Sequence, residues 1–273
     1  MQNFRSVFDI FGLDSPTIGC QSNDMKKNKP ILQPAIPEQQ RYRAEQSKPG
    51  MVPVAPGDWL QVDAAYSAQL KEKARLIRSD RNKVIACLPE AEDAVGEALA
   101  VVLAELAMRP DFQMVGRGIK RPDGKIVEID ARDPLVALSM LIQEDICILQ
   151  KKGDEHILAA ALLCFPASWT LAQKLGRPMV GIHKPVTAYT EDLARRVQRL
   201  LDGVQPGRPV WRANLLHYND PALFQPRLEG DEKDGVSVGE GYLRSERQTL
   251  LRLPGTGSVV FSIHTTLVKS HEV

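Results

Sequence analysis

The chain has 273 residues, of which 43% are hydrophobic and 25% are charged, proportions that are ordinary for a globular protein. Its formal net charge of +1 at pH 7 argues against a nucleic acid or a strongly acidic membrane surface as the main partner. Its four cysteines, Cys20, Cys87, Cys147 and Cys164, lack metal-ligand or redox spacing, so this chain cannot hold an iron–sulfur cluster of its own. No apolar run resembles a signal peptide or a membrane span, and we expect a cytoplasmic protein.

The first 56 residues differ in composition from the rest of the chain. Residues 22–56 are rich in Lys, Gln, Pro and Asn and poor in large apolar side chains, which is typical of an extended arm. The apolar side chains of residues 4–13 form either a patch that docks on the body or a loosely packed terminus. The sequence therefore predicts an extended, partly disordered arm over residues 1–56 and a single domain over residues 57–273.

Helical periodicity dominates the next part of the chain. Apolar residues at helical spacing predict helices over residues 60–77 and 90–107. A Pro-Asp-Gly turn before the β-branched run at 124–130 predicts a hairpin-like strand. The pair Asp133-Pro134 then predicts a helix with Asp133 as its N-cap, running through residue 149 to a stop near Gly153.

The second half of the chain predicts mostly strands. The apolar run 156–165 is typical of an interior strand, although a buried helix has the same pattern. Ser168 is expected to cap a short helix, and residues 190–201 form an amphipathic helix closed by Gly203. Strands are predicted over 210–218, 242–253 and 258–268. We expect an α+β fold, an antiparallel sheet with crossing helices behind an N-terminal helical layer, although several α+β folds share this order of elements.

One of the five histidines is placed as a ligand would be. His183 follows the predicted short helix and is bracketed by Pro178 and Pro185, which restrict the backbone on both sides. Such rigidity favours a ligand, but a packed core histidine is equally compatible with the sequence alone. The other histidines are expected to be structural. His217 and His264 are on predicted strands, where an imidazole faces solvent or binds a backbone carbonyl, whereas His156 begins a strand and His271 is in a frayed tail.

A run of charges interrupts the predicted strand at residues 244–252. Residues two apart share a face, so Arg244, Glu246 and Gln248 point one way and Arg247 points the other. The apolar continuation of this strand implies that the charged side chains are buried, where they must pair with one another or meet a ligand. The alternative is an exposed edge strand with interspersed charges.

Three blocks of the chain carry a family resemblance. Residues 164–186 (CFPASWTLAQKLGRPMVGIHKPV), 244–254 (RSERQTLLRLP) and 259–264 (VVFSIH) resemble the haem-dependent oxidative N-demethylase alpha-subunit-like family. The similarity extends from about residue 59 to residue 268. It implies a PAS-like domain that holds haem b, with His183 as the axial ligand of the haem iron and Arg212 as a second cofactor-binding residue. A single protein ligand suits haem, because the porphyrin supplies the four in-plane donors.

The resemblance also implies an activity. Haem would activate dioxygen, a small secondary amine such as dimethylamine would lose a methyl group as formaldehyde, and electrons would come from NADPH through a separate flavin and iron–sulfur reductase. From charge, Glu246 would be the counter-ion of the amine, and Arg244 or Arg247 would polarise dioxygen or anchor a propionate. The alternatives are a haem-based gas or redox sensor without turnover, or a scaffold that has lost haem.

This chain departs from the family pattern at three places. Leu215 stands where a tryptophan usually follows Asn214, Thr187-Ala188 replaces a more usual proline-glycine turn, and Ile263-His264-Thr265 lacks a more usual arginine. Changes near a pocket would alter the choice of substrate while leaving haem binding intact.

Overall fold

The computed structural model describes residues 29–46, 50–178, 191–231 and 241–270, with the backbone alone for residues 191–194. It combines helices with two antiparallel sheets, so the predicted α+β class is confirmed. The PAS-like arrangement stays a prediction. Within the described ranges, no helix has the length and apolar character that a membrane span requires.

Six helices and ten strands make up the described structure, apart from one short 3-10 helix at Pro89–Ala91. The helices are α1 (Glu38–Ala44), α2 (Tyr66–Val84), α3 (Glu92–Ala107), α4 (Pro134–Leu141), α5 (Leu171–Lys174) and α6 (Glu191–Gly203). The strands are β1 (Val52–Pro53), β2 (Ile85–Cys87), β3 (Gln113–Val115), β4 (Gly118–Lys120), β5 (Ile126–Glu128), β6 (Asp145–Lys152), β7 (Glu155–Leu162), β8 (Val210–Tyr218), β9 (Tyr242–Arg252) and β10 (Val259–Lys269).

The main sheet has seven strands in the order β1-β8-β9-β10-β6-β7-β2, and β3, β4 and β5 form a separate three-stranded sheet. Strand β9 lies inside the main sheet, with Glu246 opposite Asn214 of β8 and Thr265 of β10. We call the sheet face that carries Arg244 and Glu246 the front face, and the face that carries Ser245 and Arg247 the back face. Because side chains alternate along a strand, every residue of β8, β9 and β10 belongs to one of these faces.

Helices cover both faces of the main sheet. On the back face, apolar side chains of α2, α3 and α4 pack in one core with those of the strands, including Ile146 and Val260. On the front face, Val197 and Leu201 of α6 pack in a second core with Phe261 and Ile263. The sheet is therefore buried on both sides, which explains the near-continuous apolar runs of β6 and β7.

Most of the predicted elements are confirmed, and the strands of the second half agree best. The helix predicted from Asp133 is wrong beyond residue 141: α4 ends there, Ile142 has an extended backbone, and β6 begins at Asp145. A strand buried on both faces does not alternate apolar with polar residues, so the apolar run of β6 resembles a continuation of the helix. Asp133 also makes no side-chain cap, because its carboxylate pairs with Arg81 at 2.8 Å.

Two further local predictions need correction. The helix predicted over 60–77 is α2, which begins later and continues to Val84. Ser168 does not cap a helix, since Thr170 precedes α5 and Ser168 has a φ of 63°.

The N-terminal arm contains an unpredicted helix, α1, and touches the sheet. Gln33 exchanges two hydrogen bonds of 2.9 Å with the backbone of Leu267, and Gln40 donates to Ser245 Oγ at 2.8 Å. Glutamine side chains that bind strand groups produce this packing, and hydropathy does not register them. The apolar segment 4–13 lies outside the described residues, and the boundary at residue 56 stays a prediction.

Candidate functional site

Five polar side chains form a buried cluster on the front face, which we call the front cluster: Arg212, Asn214, Arg244, Glu246 and Gln248. Strand pairing creates it, because Arg212 lies opposite Gln248 and Asn214 opposite Glu246. Arg212, Arg244, Glu246 and Gln248 are each no more than 2% exposed. The predicted buried charged set is thus confirmed, and the exposed-edge alternative is wrong.

Hydrogen bonds link the front cluster into a chain of alternating donors and acceptors. Glu246 Oε1 lies 3.0 Å from Arg244 Nη2, and Glu246 Oε2 accepts from Asn214 at 3.1 Å and Gln248 at 3.0 Å. Gln248 Oε1 in turn accepts from Arg212 Nε at 2.9 Å and Nη2 at 2.7 Å. Gln248 therefore connects the two arginines through Glu246, a role that the sequence did not assign to it.

Arg244 joins the front cluster to two loops. Its guanidinium donates to the backbone carbonyls of Phe165, after β7, and Leu223, after β8. It also stacks 5.7 Å from the ring centroid of Tyr218. Burial raises the pKa of the Tyr218 phenol, and the nearby charge of Arg244 opposes that rise. Among the described contacts, Arg244 Nε is buried without a hydrogen-bond partner.

Arg247 lies on the back face, on the other side of the sheet from Arg244 and Glu246. Its Nη2 donates to the carboxylate and the carbonyl of Asp58, both at 2.8 Å. Its guanidinium also stacks on Trp211, 4.1 Å from the ring centroid. The structure brings Arg244, Glu246 and Arg212 together and separates Arg247 from them.

The predicted axial ligand, His183, lies outside the described residues. The described chain before it ends at Pro178, which bridges to Ile157 at the edge of β7. After it the chain returns as α6, which packs on the front face through Val197. The flanking residues thus connect this segment to β7 and to the front face.

The sequence predicted that His264 faces solvent or binds a backbone carbonyl. It is instead buried on the back face between two carboxylates. Its Nε2 lies 3.0 Å from Asp63 Oδ2, and its Nδ1 lies 3.4 Å from Glu144 Oε1. Burial alone would lower the pKa of His264, but the two carboxylates outweigh burial and raise it to about 9. Burial would raise the pKa of Asp63, but His264 and two glutamines lower it to about 2.

No group of three or more His, Cys, Asp or Glu side chains in the described ranges is arranged to hold a metal ion. A family model described as haem-dependent oxidative N-demethylase, alpha subunit-like, matches residues 50–273. The chain belongs to this family. The match takes in the whole front cluster and His183, and membership confirms the resemblance on which the sequence predictions rest. The family description names haem, oxidative N-demethylation and an alpha subunit, which implies an enzyme of more than one component.

Proposed function

We propose that this chain is the haem-binding subunit of an enzyme that demethylates a small secondary amine, such as dimethylamine, with dioxygen. Two electrons would come from NADPH through a separate reductase that carries flavin and an iron–sulfur cluster. One oxygen atom would leave with the methyl carbon as formaldehyde, and the other would be reduced to water. The observation that carries the proposal is the buried front cluster, whose residues all lie in the family-matched region.

The described residues of the front face suit haem b, which has an apolar ring and two anionic propionates. Phe261, Ile263 and Leu250, which pack with α6, supply apolar side chains in the same layer as the guanidinium groups of the front cluster. Arg244 Nε is also buried without a described partner, and donors of this kind favour carboxylates. We propose His183 as the axial ligand and Arg212 as a propionate partner.

Glu246 would bind the amine, which is an ammonium ion at neutral pH. Its Oε2 already accepts two hydrogen bonds, whereas Oε1 accepts one described hydrogen bond, from Arg244. A carboxylate oxygen accepts two hydrogen bonds, so Oε1 has room for an ammonium N–H. When bound, haem supplies the oxidation of the methyl group, and this chain supplies charge and orientation.

The two arginines of β9 would act differently. Arg244 would hold the Glu246 carboxylate from within the front cluster and present positive charge to dioxygen or to a propionate. Arg247, which the sequence also predicted to be catalytic, would support the strand from the back face through Asp58 and Trp211. The proposal also includes a cytoplasmic location, which is supported by the free thiols of Cys87, Cys147 and Cys164.

A formaldehyde assay tests this function directly. Haem-loaded protein is mixed with dimethylamine, NADPH and a reductase in air, and formaldehyde is measured against samples without amine or without dioxygen. We expect formaldehyde only in the complete mixture. Haem-loaded, reducible protein that releases no formaldehyde from any small secondary amine would contradict turnover and favour the sensor.

A further inference from the structure

A second buried ion pair lies at the start of β6, separated from β9 by β10. It joins Lys73 of α2, which is 0% exposed, to Asp145, which is 1% exposed. Lys73 Nζ lies 3.0 Å from Asp145 Oδ1 and also donates to the carbonyl of Glu144 at 2.6 Å. Neither residue is part of the front cluster.

Packing alone does not explain this pair. Transferring an ammonium and a carboxylate into a protein interior costs more free energy than burying apolar side chains of the same size, and an apolar pair is often at least as stable. In some proteins a buried ion pair serves instead to fix one conformation. The groups that it binds show which conformation that is.

Both members of the pair contact Phe165, the residue to which Arg244 also binds. Asp145 Oδ2 accepts from the N–H of Phe165 at 2.6 Å, and Lys73 Nζ lies 5.5 Å from the centroid of the Phe165 ring. The carbonyl of Phe165 accepts from Arg244. The anion Asp145 thus faces the N–H of Phe165, and the cation Arg244 faces its C=O. Each charge matches the polarity of the group that it binds.

The loop that follows Phe165 is also constrained. Ser168 has a φ of 63°, a left-handed conformation that is unfavourable for a residue with a side chain. Its N–H donates to Gln225 O at 2.9 Å, and Ala167 bridges to the same residue. Strained backbone persists where its surroundings hold it in place, and here contacts from separate strands and loops do so.

We propose that Lys73 and Asp145 are positioning residues for the front cluster. Asp145 holds the N–H of Phe165 and Lys73 lies over its ring, and the carbonyl of Phe165 in turn holds the guanidinium of Arg244 beside Glu246. The inference rests on the proposed function, because the front cluster is the proposed site for haem and amine. Lys73 and Asp145 themselves touch neither.

The test compares two double variants of the full-length, haem-loaded protein. Lys73→Met with Asp145→Leu removes the Lys73–Asp145 ion pair, which we call the clamp. Arg121→Met with Asp123→Leu removes another largely buried pair, 8% and 9% exposed, that has no described contact with Phe165. Dimethylamine is titrated while haem absorption is followed. We expect the first variant to bind dimethylamine at least about tenfold more weakly and to show a shifted haem spectrum, and the second to match the wild type.

Hydrogen exchange gives a readout that does not depend on haem. Amides of residues 165–170 are expected to exchange faster in the clamp variant than in the wild type and to be unchanged in the Arg121 and Asp123 variant. Unchanged amine affinity with unchanged exchange would overturn the inference. A wild type that takes up no haem would refute the proposed function alone, since the exchange comparison would still decide the role of the clamp.

A milder variant covers the case in which the clamp variant does not fold. Asp145→Asn keeps an oxygen that accepts from Phe165 N–H but loses the charge that faces Lys73. We expect it to bind dimethylamine more weakly than the wild type and to exchange the amides of residues 165–170 faster. Wild-type values for both would count against the proposal.

Discussion

At the scale of single residues, Glu246 carries the chemistry that is proposed for this chain. Its carboxylate is the anion of the front cluster, and Asn214, Gln248 and Arg244 hold it in one orientation. An acceptor that is fixed in advance binds a small ammonium ion without a further loss of side-chain entropy. The charge and the fixed orientation of Glu246 are therefore both open to test.

Replacing Glu246 with Gln removes the charge and keeps the shape. The lost charge-assisted hydrogen bond corresponds to about 1.5–3 kcal/mol, so we expect dimethylamine to bind roughly 10- to 150-fold more weakly while haem is retained. Amine titration followed by haem absorption measures this. Glu97→Gln is the control, because Glu97 accepts from the backbone of Gly255 and Thr256 away from the cluster. Equal amine affinity in the Glu246 variant and the wild type would remove Glu246 from the site.

His264 predicts a pH dependence of stability. Its pKa of about 9 in the folded protein exceeds the ordinary value of 6.5, so protonated His264 stabilises the fold fully below about pH 6.5. This contribution is lost as the pH rises through about 9. For Asp63 the sign is opposite: its contribution is present above about pH 3.8 and is lost as the pH falls through about 2.

Unfolding of a His264→Gln variant by denaturant tests this linkage. The variant should be less stable than the wild type at pH 6, and the difference in free energy of unfolding should shrink between pH 6.5 and 9. Arg121→Met is the control, since the ion pair it removes, with Asp123, contains no group that titrates in this range. A difference that stays constant or grows with pH would show that His264 is not held protonated.

The residues of the site were predictable to different degrees. Period-two alternation placed Arg244 and Glu246 on one face, because a strand leaves no other choice. The pairing of Lys73 with Asp145 was not predictable, because a lysine on an amphipathic helix is usually solvated and only tertiary packing brings Asp145 to it. The prediction for His264 was wrong for a similar reason, since its partner Asp63 is 201 residues away in the sequence.

At the scale of elements, the central position of β9 decides which side chains can act together. It lies between β8 and β10 in a sheet that is buried on both faces, so Arg244 and Arg247, on opposite faces, occupy separate environments although they are three residues apart. Arg247 stacks on Trp211 and pairs with Asp58, which ties the segment before α2 to the sheet. The two arginines should therefore differ in what their loss affects.

Arg247→Met should lower stability and leave the chemistry intact. Loss of a partly desolvated cation–π contact costs about 2 kcal/mol, so we expect a drop of roughly that size in the free energy of unfolding. Dimethylamine affinity of the haem-loaded variant should match the wild type, whereas Arg244→Met should weaken it. Lost amine affinity at unchanged stability would instead restore Arg247 to the catalytic role that the sequence predicted.

Helices and strands were predicted best where the sequence pattern is typical of only one type of secondary structure. Strands β8, β9 and β10 follow the sequence prediction closely, because their turn residues mark the ends clearly. The sequence did not predict strand β6, because β6 begins only a few residues after α4 and both elements are rich in apolar residues. Helix α1 was missed because the glutamines and prolines around it are typical of an unpacked arm.

At the scale of the whole molecule, the two faces of the sheet have different tasks. The back face joins the N-terminal segments to the sheet through buried polar pairs and a large apolar core. The front face combines an apolar layer with the front cluster; the described chain before His183 ends at Pro178 beside β7, and the chain after it returns as α6 on the front face. The account as a whole depends on haem binding at the front face with His183 as its axial ligand.

Absorption spectra of the wild type and a His183→Ala variant, expressed with ample haem supply, test that claim most directly. We expect the wild type to carry equimolar haem with a Soret band, His183→Ala to lose or shift that band, and His217→Ala to match the wild type. A colourless wild type, or a His183→Ala spectrum that is identical to the wild type, would contradict the account.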